Sequence, residues 1–251
     1  MGPEESISQW LGYCNLLARY LPDAASVSLG GVAVRWLNVR WPSMNACIVD
    51  TPVLDRDDLD RRITAAVEFA SVRDRKWVFV TCDELLPEGV RPGWREAPGG
   101  FGMIAERVLP SSKSQPRLEY RTVADAASKR EVADLNALVW GLPAEWGREI
   151  LEPYSSFGED AFGTLAYFGG QLVSCAVTFL IDERLHVGWV ATHPDYRRRG
   201  FGEAVIRESL RAAGAASGFT RATLRSTSAG KRLYQRMGFR TVAVFRYWIM
   251  E

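Results

Sequence analysis

The chain has 251 residues, 47% hydrophobic and 24% charged, and its 31 basic and 30 acidic residues leave a formal net charge of +1. That length accommodates two modest domains, and the balanced charge excludes neither fold nor catalysis but gives no support for a nucleic-acid or membrane-surface binder. Cys14, Cys47, Cys82 and Cys175 are widely spaced with no CxxC pair, so neither a metal site nor a disulfide framework is expected and the thiols read as small buried hydrophobes. Acidic Glu4 and Glu5 stand where a signal peptide would be basic, and no apolar run is long enough to span a bilayer; a cytoplasmic setting is expected.

In chain order, Ser6 and Gln9 read as a capping box for a first helix that stops at Pro22. Strand-like runs follow at Ser26 to Val39 and Asn45 to Val53. A helix from Asp55 carries Leu59, Ile63, Ala66, Val67 and Ala70 as a stripe, and Lys76 to Cys82 is a buried strand. The Pro and Gly density between Leu85 and Gly100 predicts at most a broken helix, then a strand from Met103 to Leu109. Pro110 to Pro116 has linker composition, which divides the chain into domains 1–115 and 116–251.

The second domain begins with a strand at Leu118 to Val123 and a helix capped by Ser128 and Glu131 that ends near Gly141. A short helix at Ala144 to Leu151 precedes strands Gly163 to Phe168 and Leu172 to Ile181, joined by the hairpin dipeptide Gly169-Gly170. Strand Leu185 to Thr192, a helix after Gly202, strand Arg221 to Arg225, helix Ala229 to Met237 and strand Thr241 to Met250 complete the order β-α-α-β-β-β-α-β-α-β. The fold class is α+β (mixed α/β), with a mixed central sheet flanked by helices.

Arg197-Arg198-Arg199-Gly200-Phe201-Gly202 follows a strand and opens a helix. A helix N-terminus presents unpaired N–H groups and partial positive charge, and the glycines let a pyrophosphate approach that backbone. The arginines add charge-assisted donors for phosphates. Alone, this marks a phosphate site or an Arg-rich solvated turn. With Leu233-Tyr234-Gln235-Arg236-Met237-Gly238-Phe239 downstream, the region from Leu118 to Glu251 resembles the GNAT superfamily (Gcn5-related N-acetyltransferases), through its R-x-x-G-x-G and LYxxxGF motifs.

The resemblance implies acetyl-CoA as cosubstrate, with no metal, bound by Val190, Ala191, Thr192 and Arg197 to Gly202, a backbone N–H at Val190 or Thr192 polarising the thioester carbonyl. Tyr234 falls at the general-acid position. Thr227 stands where many relatives carry Asn, leaving a coenzyme contact there to the hydroxyls of Ser226, Thr227 or Ser228. His186 lies four residues before Val190, so a period of two would put both on one sheet face, His186 then serving as base with Glu183 in reserve. Trp140, Trp146, Tyr154, Phe157 and Phe162 fall where relatives wall the acceptor pocket, and ordinary core packing is the alternative.

The first domain imitates the second without its cradle. Pro98 to Met103 echoes the Met237-Gly238-Phe239 turn, and Asp50 to Asp57 brings three acids and no glycine to the loop before the central helix. It reads as a degenerate GNAT-like α/β domain, as in tandem GNAT proteins, that completes the acceptor cleft and covers a sheet edge; an unrelated α/β partner domain is the alternative. The function expected is transfer of an acetyl group from acetyl-CoA to a primary amine, an acceptor of small-molecule type, with no nucleic acid or membrane partner and homodimerisation open. A non-catalytic acyl-CoA-binding sensor or scaffold is the competing class.

Overall fold

The computed structural model describes residues 2–112 and 114–250, so Lys113 of the predicted linker lies outside the described residues. Helix α1 (Pro3–Ala18) starts directly after Gly2. Ser6 and Gln9 are buried inside it rather than forming the expected capping box; Pro3 at the first position supplies the start by its fixed φ. Strands β1 (Ala25–Ser28) and β2 (Val32–Trp36) form a hairpin, and β3 (Asn45–Val49) pairs antiparallel with β2. Asp55 caps α2 (Arg56–Ser71) by accepting the Asp58 N–H at 2.8 Å, and β4 (Val78–Cys82) runs parallel to β3.

Strand β5 (Arg95–Ala105) runs straight through Pro98-Gly99-Gly100, where the sequence suggested a broken helix and then a turn. Close backbone approach is the reason: a Cβ on Gly99 would collide with the Phe245 carbonyl oxygen, and one on Gly100 would lie 3.0 Å from the Ser226 carbonyl oxygen. The glycines are extended-strand residues here, and the echo of Met237-Gly238-Phe239 is one of composition only; Gly238 itself turns with φ 94°.

Strand β6 (Glu119–Thr122) leads to α3 (Ala126–Trp140), whose capping box pairs Asp125 with Ser128, three residues upstream of the predicted Ser128–Glu131 pair. Gly141 ends α3 in the left-handed conformation with φ 66°. Then come α4 (Ala144–Leu151), β7 (Ala161–Phe168), β8 (Gln171–Ile181) and β9 (Arg184–Thr192). Helix α5 (Phe201–Ser217), β10 (Ala222–Ser226), α6 (Lys231–Arg236) and β11 (Arg240–Ile249) follow. From β6 on, the element order matches the sequence reading; before it, the single run read at Ser26 to Val39 is two strands, turned at Gly30 and Gly31, which both take positive φ.

The chain divides into two compact units that are not contiguous in sequence. One holds the chain up to Met103, Arg225–Lys231 and the residues from Thr241 on; the other holds Ile104–Leu224 and Arg232–Arg240. This departs from a single cut at residue 115. On one side, the segment around the linker belongs to the second unit: Leu109 N–H donates to the Met237 carbonyl at 2.9 Å, its carbonyl accepts from Arg207 at 2.7 Å, and Ser111 donates to Glu203 at 3.1 Å. On the other, most of β11 belongs to the first unit. It pairs antiparallel with β4 from Phe245 opposite Cys82 to Trp248 opposite Phe79. Arg246 donates to Asp83 and Glu96, and Trp248 Nε1 to Thr81 at 2.9 Å.

In the first unit the strand order is β1-β2-β3-β4-β11-β5, and in the second β10-β9-β8-β7-β6. Each repeats one scheme: antiparallel strands, a crossover helix (α2 or α5), then a parallel strand (β4 or β10). Among the described residues no helix is long and apolar enough to cross a membrane.

Candidate active site

Strand β9 organises the site, and it does not alternate throughout. Val187 and Gly188 stand opposite Thr178 and Val177, but Ala191 already stands opposite Cys175, so Trp189 and Val190 share one position against Ala176. Trp189 has φ 48°, which makes this a β-bulge with a bulky residue in the left-handed region. The extra residue inverts the faces. His186 opposes Phe179 whereas Thr192 opposes Ser174, five positions away on β8, so the two side chains lie on opposite sides although six residues separate them. The expectation that a period of two carries His186 onto the face of Val190 therefore fails at the bulge.

The face that holds His186 is the one covered by α3: Asn136 of that helix reaches Cys175 Sγ at 3.3 Å, on the same face as Phe179. The other face is covered by α5, where Thr178 and Ser209 hydroxyls meet at 2.7 Å. His186 is 4% exposed, and its Nδ1 lies 3.0 Å from Thr223 Oγ1 on the neighbouring β10. Glu183 is not on the strand. It occupies the β8–β9 hairpin turn with Asp182, both at positive φ and exposed, at the end of β9 away from the Arg197 to Gly202 loop; this removes it as a base.

Strand β10 pairs with β9 through Leu185, His186 and Val187, and residues Gly188 to Thr192 lie beyond that ladder. Past the bulge, Ser174 Oγ donates to the Ala191 carbonyl at 2.7 Å and meets Thr192 Oγ1 at 2.9 Å. His193 N–H continues onto the Val173 carbonyl, and a 3-10 turn at Pro194–Tyr196 delivers the chain to the start of α5.

There Gly200 takes φ 84° at the N-cap with no side-chain cap, and Arg198 takes φ 61°. The N–H groups of the first turn are left without intrahelical acceptors, as at any helix start. A Cβ on Gly202 would sit 3.0 Å from Thr192 Oγ1, so the glycine lets the helix start press against the end of β9. Arg197, Arg198 and Arg199 are exposed, Arg199 stacking 5.2 Å from the Tyr196 ring centre. Phe201 is buried against Phe168 and anchors the turn from below. Gln171, Leu172, His193, Asp195, Tyr196 and Arg199 line a cavity of about 510 Å³ beside this loop, a polar hollow that no motif marks.

Tyr234 is buried on α6 with its ring 5.8 Å from Phe239, and burial pushes its phenol well above the usual 10.0. It therefore stays protonated at neutral pH, as a proton donor must. Thr227 is otherwise engaged: its hydroxyl and carbonyl both accept the Gly230 N–H, at 3.2 and 3.1 Å, in a turn that starts α6. Of the aromatic group, Tyr154 is fully buried and stacks on Phe157 and Phe179, so it is core; Trp140, at 55% exposure, faces solvent. Cys175 is buried with its thiol pushed up to about 12 by desolvation, which suits packing and not nucleophilic work.

Comparison with known proteins bears on the segment that holds this bulged strand and uncapped helix start. Residues 160–241 match the acetyltransferase (GNAT) domain family. The likeness to that family lies in this segment. The whole chain is similar in fold to a GCN5-related N-acetyltransferase from Kribbella flavida, at 17% identity and TM-score 0.72, covering 98% of this chain and 96% of that one. It is similar to a functionally unknown conserved protein from Staphylococcus epidermidis at 13% identity and TM-score 0.64, over 90% and 93% of the two chains. A tandem GNAT protein from the clavulanic acid biosynthesis pathway matches at 16% identity and TM-score 0.58, over 98% and 95%. No curated protein matches the sequence. The GNAT domain's boundaries enclose β7 to α6, and so His186, the bulge, the cradle and Tyr234.

Proposed function

We propose that the protein is a cytoplasmic N-acetyltransferase that moves an acetyl group from acetyl-CoA to a primary amine by direct attack in a ternary complex. The observation that carries this reading is the uncapped α5 N-terminus, opened by Gly200 and Gly202, directly after the bulged end of β9. The helix start and Arg197, Arg198 and Arg199 would hold the pyrophosphate, and the stretch Gly188 to Thr192, beyond the ladder with β10, would take the pantetheine arm by main-chain bonds. A backbone N–H at Val190 or Thr192 would stabilise the tetrahedral oxyanion, an interaction worth about 3–4 kcal/mol in other acyl transfers.

His186 would accept the ammonium proton from the α3 side of the sheet, through water. Thr223 Oγ1, 3.0 Å from its Nδ1, holds the ring. Tyr234 would protonate the departing thiolate, and its raised pKa keeps it competent. Bond accounting closes: the amine nitrogen gains the acyl carbon, the thioester C–S bond breaks, one proton leaves to His186 and one arrives from Tyr234.

The test is release of free thiol from acetyl-CoA across an amine panel, alongside CoA binding. CoA binding without turnover would leave only a sensor or scaffold. His186→Ala should lower turnover about 10²–10⁴-fold at neutral pH and less at high pH, where the amine deprotonates itself. An unchanged pH profile would move the base to water. Ionisation of Tyr234 should cause no fall in rate through pH 10, since burial raises its pKa above the usual 10.0.

A further inference from the structure

The bulge is a strained element, and strain of this kind persists only when neighbours over-determine it. Trp189 at φ 48° holds a backbone conformation that a bulky residue rarely adopts, and its carbonyl is met by side chains. The side chain that receives it is Asn136, 2% exposed in the middle of α3. Asn136 Nδ2 donates to the Trp189 carbonyl at 3.1 Å, to its own helix at the Val132 carbonyl at 2.9 Å, and approaches Cys175 Sγ at 3.3 Å. Cys175 Sγ is itself 3.5 Å from the same Trp189 carbonyl, so the oxygen is gripped from α3 and from β8 together. Asn is a poor residue for a helix interior, because its side chain competes for the backbone, so its place here is explained by what it holds.

The peptide bond is planar and trans, so a carbonyl and the next N–H point in opposite directions. Fixing the Trp189 oxygen towards α3 fixes the Val190 N–H away from it. We infer that Asn136 is a positioning residue of the acyl-transfer site: it locks the Trp189–Val190 peptide so that Val190 N–H is presented to the thioester oxygen. This inference rests on the acetyl-CoA reading above and narrows the choice of donor to Val190.

The experiment uses the full chain with acetyl-CoA labelled with ¹³C at the carbonyl. A hydrogen bond to the thioester oxygen should shift that carbon downfield in the wild type, relative to free acetyl-CoA. In Asn136→Ala the shift should collapse towards the free value and kcat should fall about tenfold or more. The affinity for CoA, which lacks the carbonyl, and KM for acetyl-CoA should stay within about twofold. A merely structural role would weaken CoA affinity along with kcat. Asn136→Ser keeps a shorter donor and serves if the Ala variant does not fold, with an intermediate shift expected. An unshifted carbonyl in the wild type, or an Ala variant with shift and kcat unchanged, overturns the inference. A shifted carbonyl without transfer to any amine would sink the transferase reading alone, and failure to bind acetyl-CoA would sink both.

Discussion

The two units use the same strand–loop–helix piece to opposite ends. After β9 the loop reaches α5 through Gly200 and Gly202 and leaves the helix start open. After β3 the loop from Thr51 to Asp55 turns its carbonyls inward onto Arg62, which donates to the oxygens of Gly31 at 3.1 Å, Thr51 at 2.8 Å and Pro52 at 2.8 Å. Asp58 completes the cage at 2.8 Å. The sequence pointed to repulsion by acids as the reason a pyrophosphate would be refused there. In the structure Asp55 is spent on the cap and Asp58 on Arg62, and the refusal is physical: a buried guanidinium already sits among the carbonyls, and a Cβ on Gly31 would lie 2.7 Å from it.

Three substitutions test that contrast. Arg62→Ala removes the donor shared by the Gly31, Thr51 and Pro52 carbonyls, the Thr51 hydroxyl and Asp58 and should destabilise the chain by about 3–5 kcal/mol in denaturant unfolding, with CoA affinity of the surviving fold unchanged. A variant of wild-type stability would mean the cage holds nothing together. Gly200→Ala places a side chain at φ 84°, a conformation that costs about 1–2 kcal/mol, and should lower Tm and weaken CoA binding at once. Weakening of neither would show the loop to be more pliable than its backbone implies. Arg199→Ala removes one exposed charge and should weaken CoA binding by less than about tenfold, an effect that shrinks as salt is raised from 0.05 to 0.5 M on the order of a Debye-length argument. A salt-independent loss would assign Arg199 to the Tyr196 stack instead.

Local signals were legible where local chemistry decides. Gly141 and Gly218 end helices in the left-handed conformation, Gly169-Gly170 makes its hairpin, and the cradle glycines lie where the motif put them. Two departures, at the bulge and at Gly99-Gly100, share one cause, which is partners distant in sequence. Trp189 looks like any strand residue, and its bulge is set by β8 and by Asn136, 53 positions upstream. Gly99 and Gly100 look like a break until the carbonyls of Phe245 and Ser226 are alongside. Asp125 was passed over as a cap for Ser128, although both belong to one box. An Asn amid the apolar stripe of α3 was the one visible hint of the clamp, since a polar side chain there needs buried partners.

Strand β11 has a consequence for how the molecule is made. Between β4 and β5 it is an interior strand of the first unit, although in sequence it follows every strand of the second. The first unit thus cannot close its sheet until β11 has been made, and β4 waits with an unpaired edge while the second unit is synthesised. A gene cut between the two units would leave the first without one of its strands, and a chain without Arg240–Ile249 would fail first in the unit made earliest.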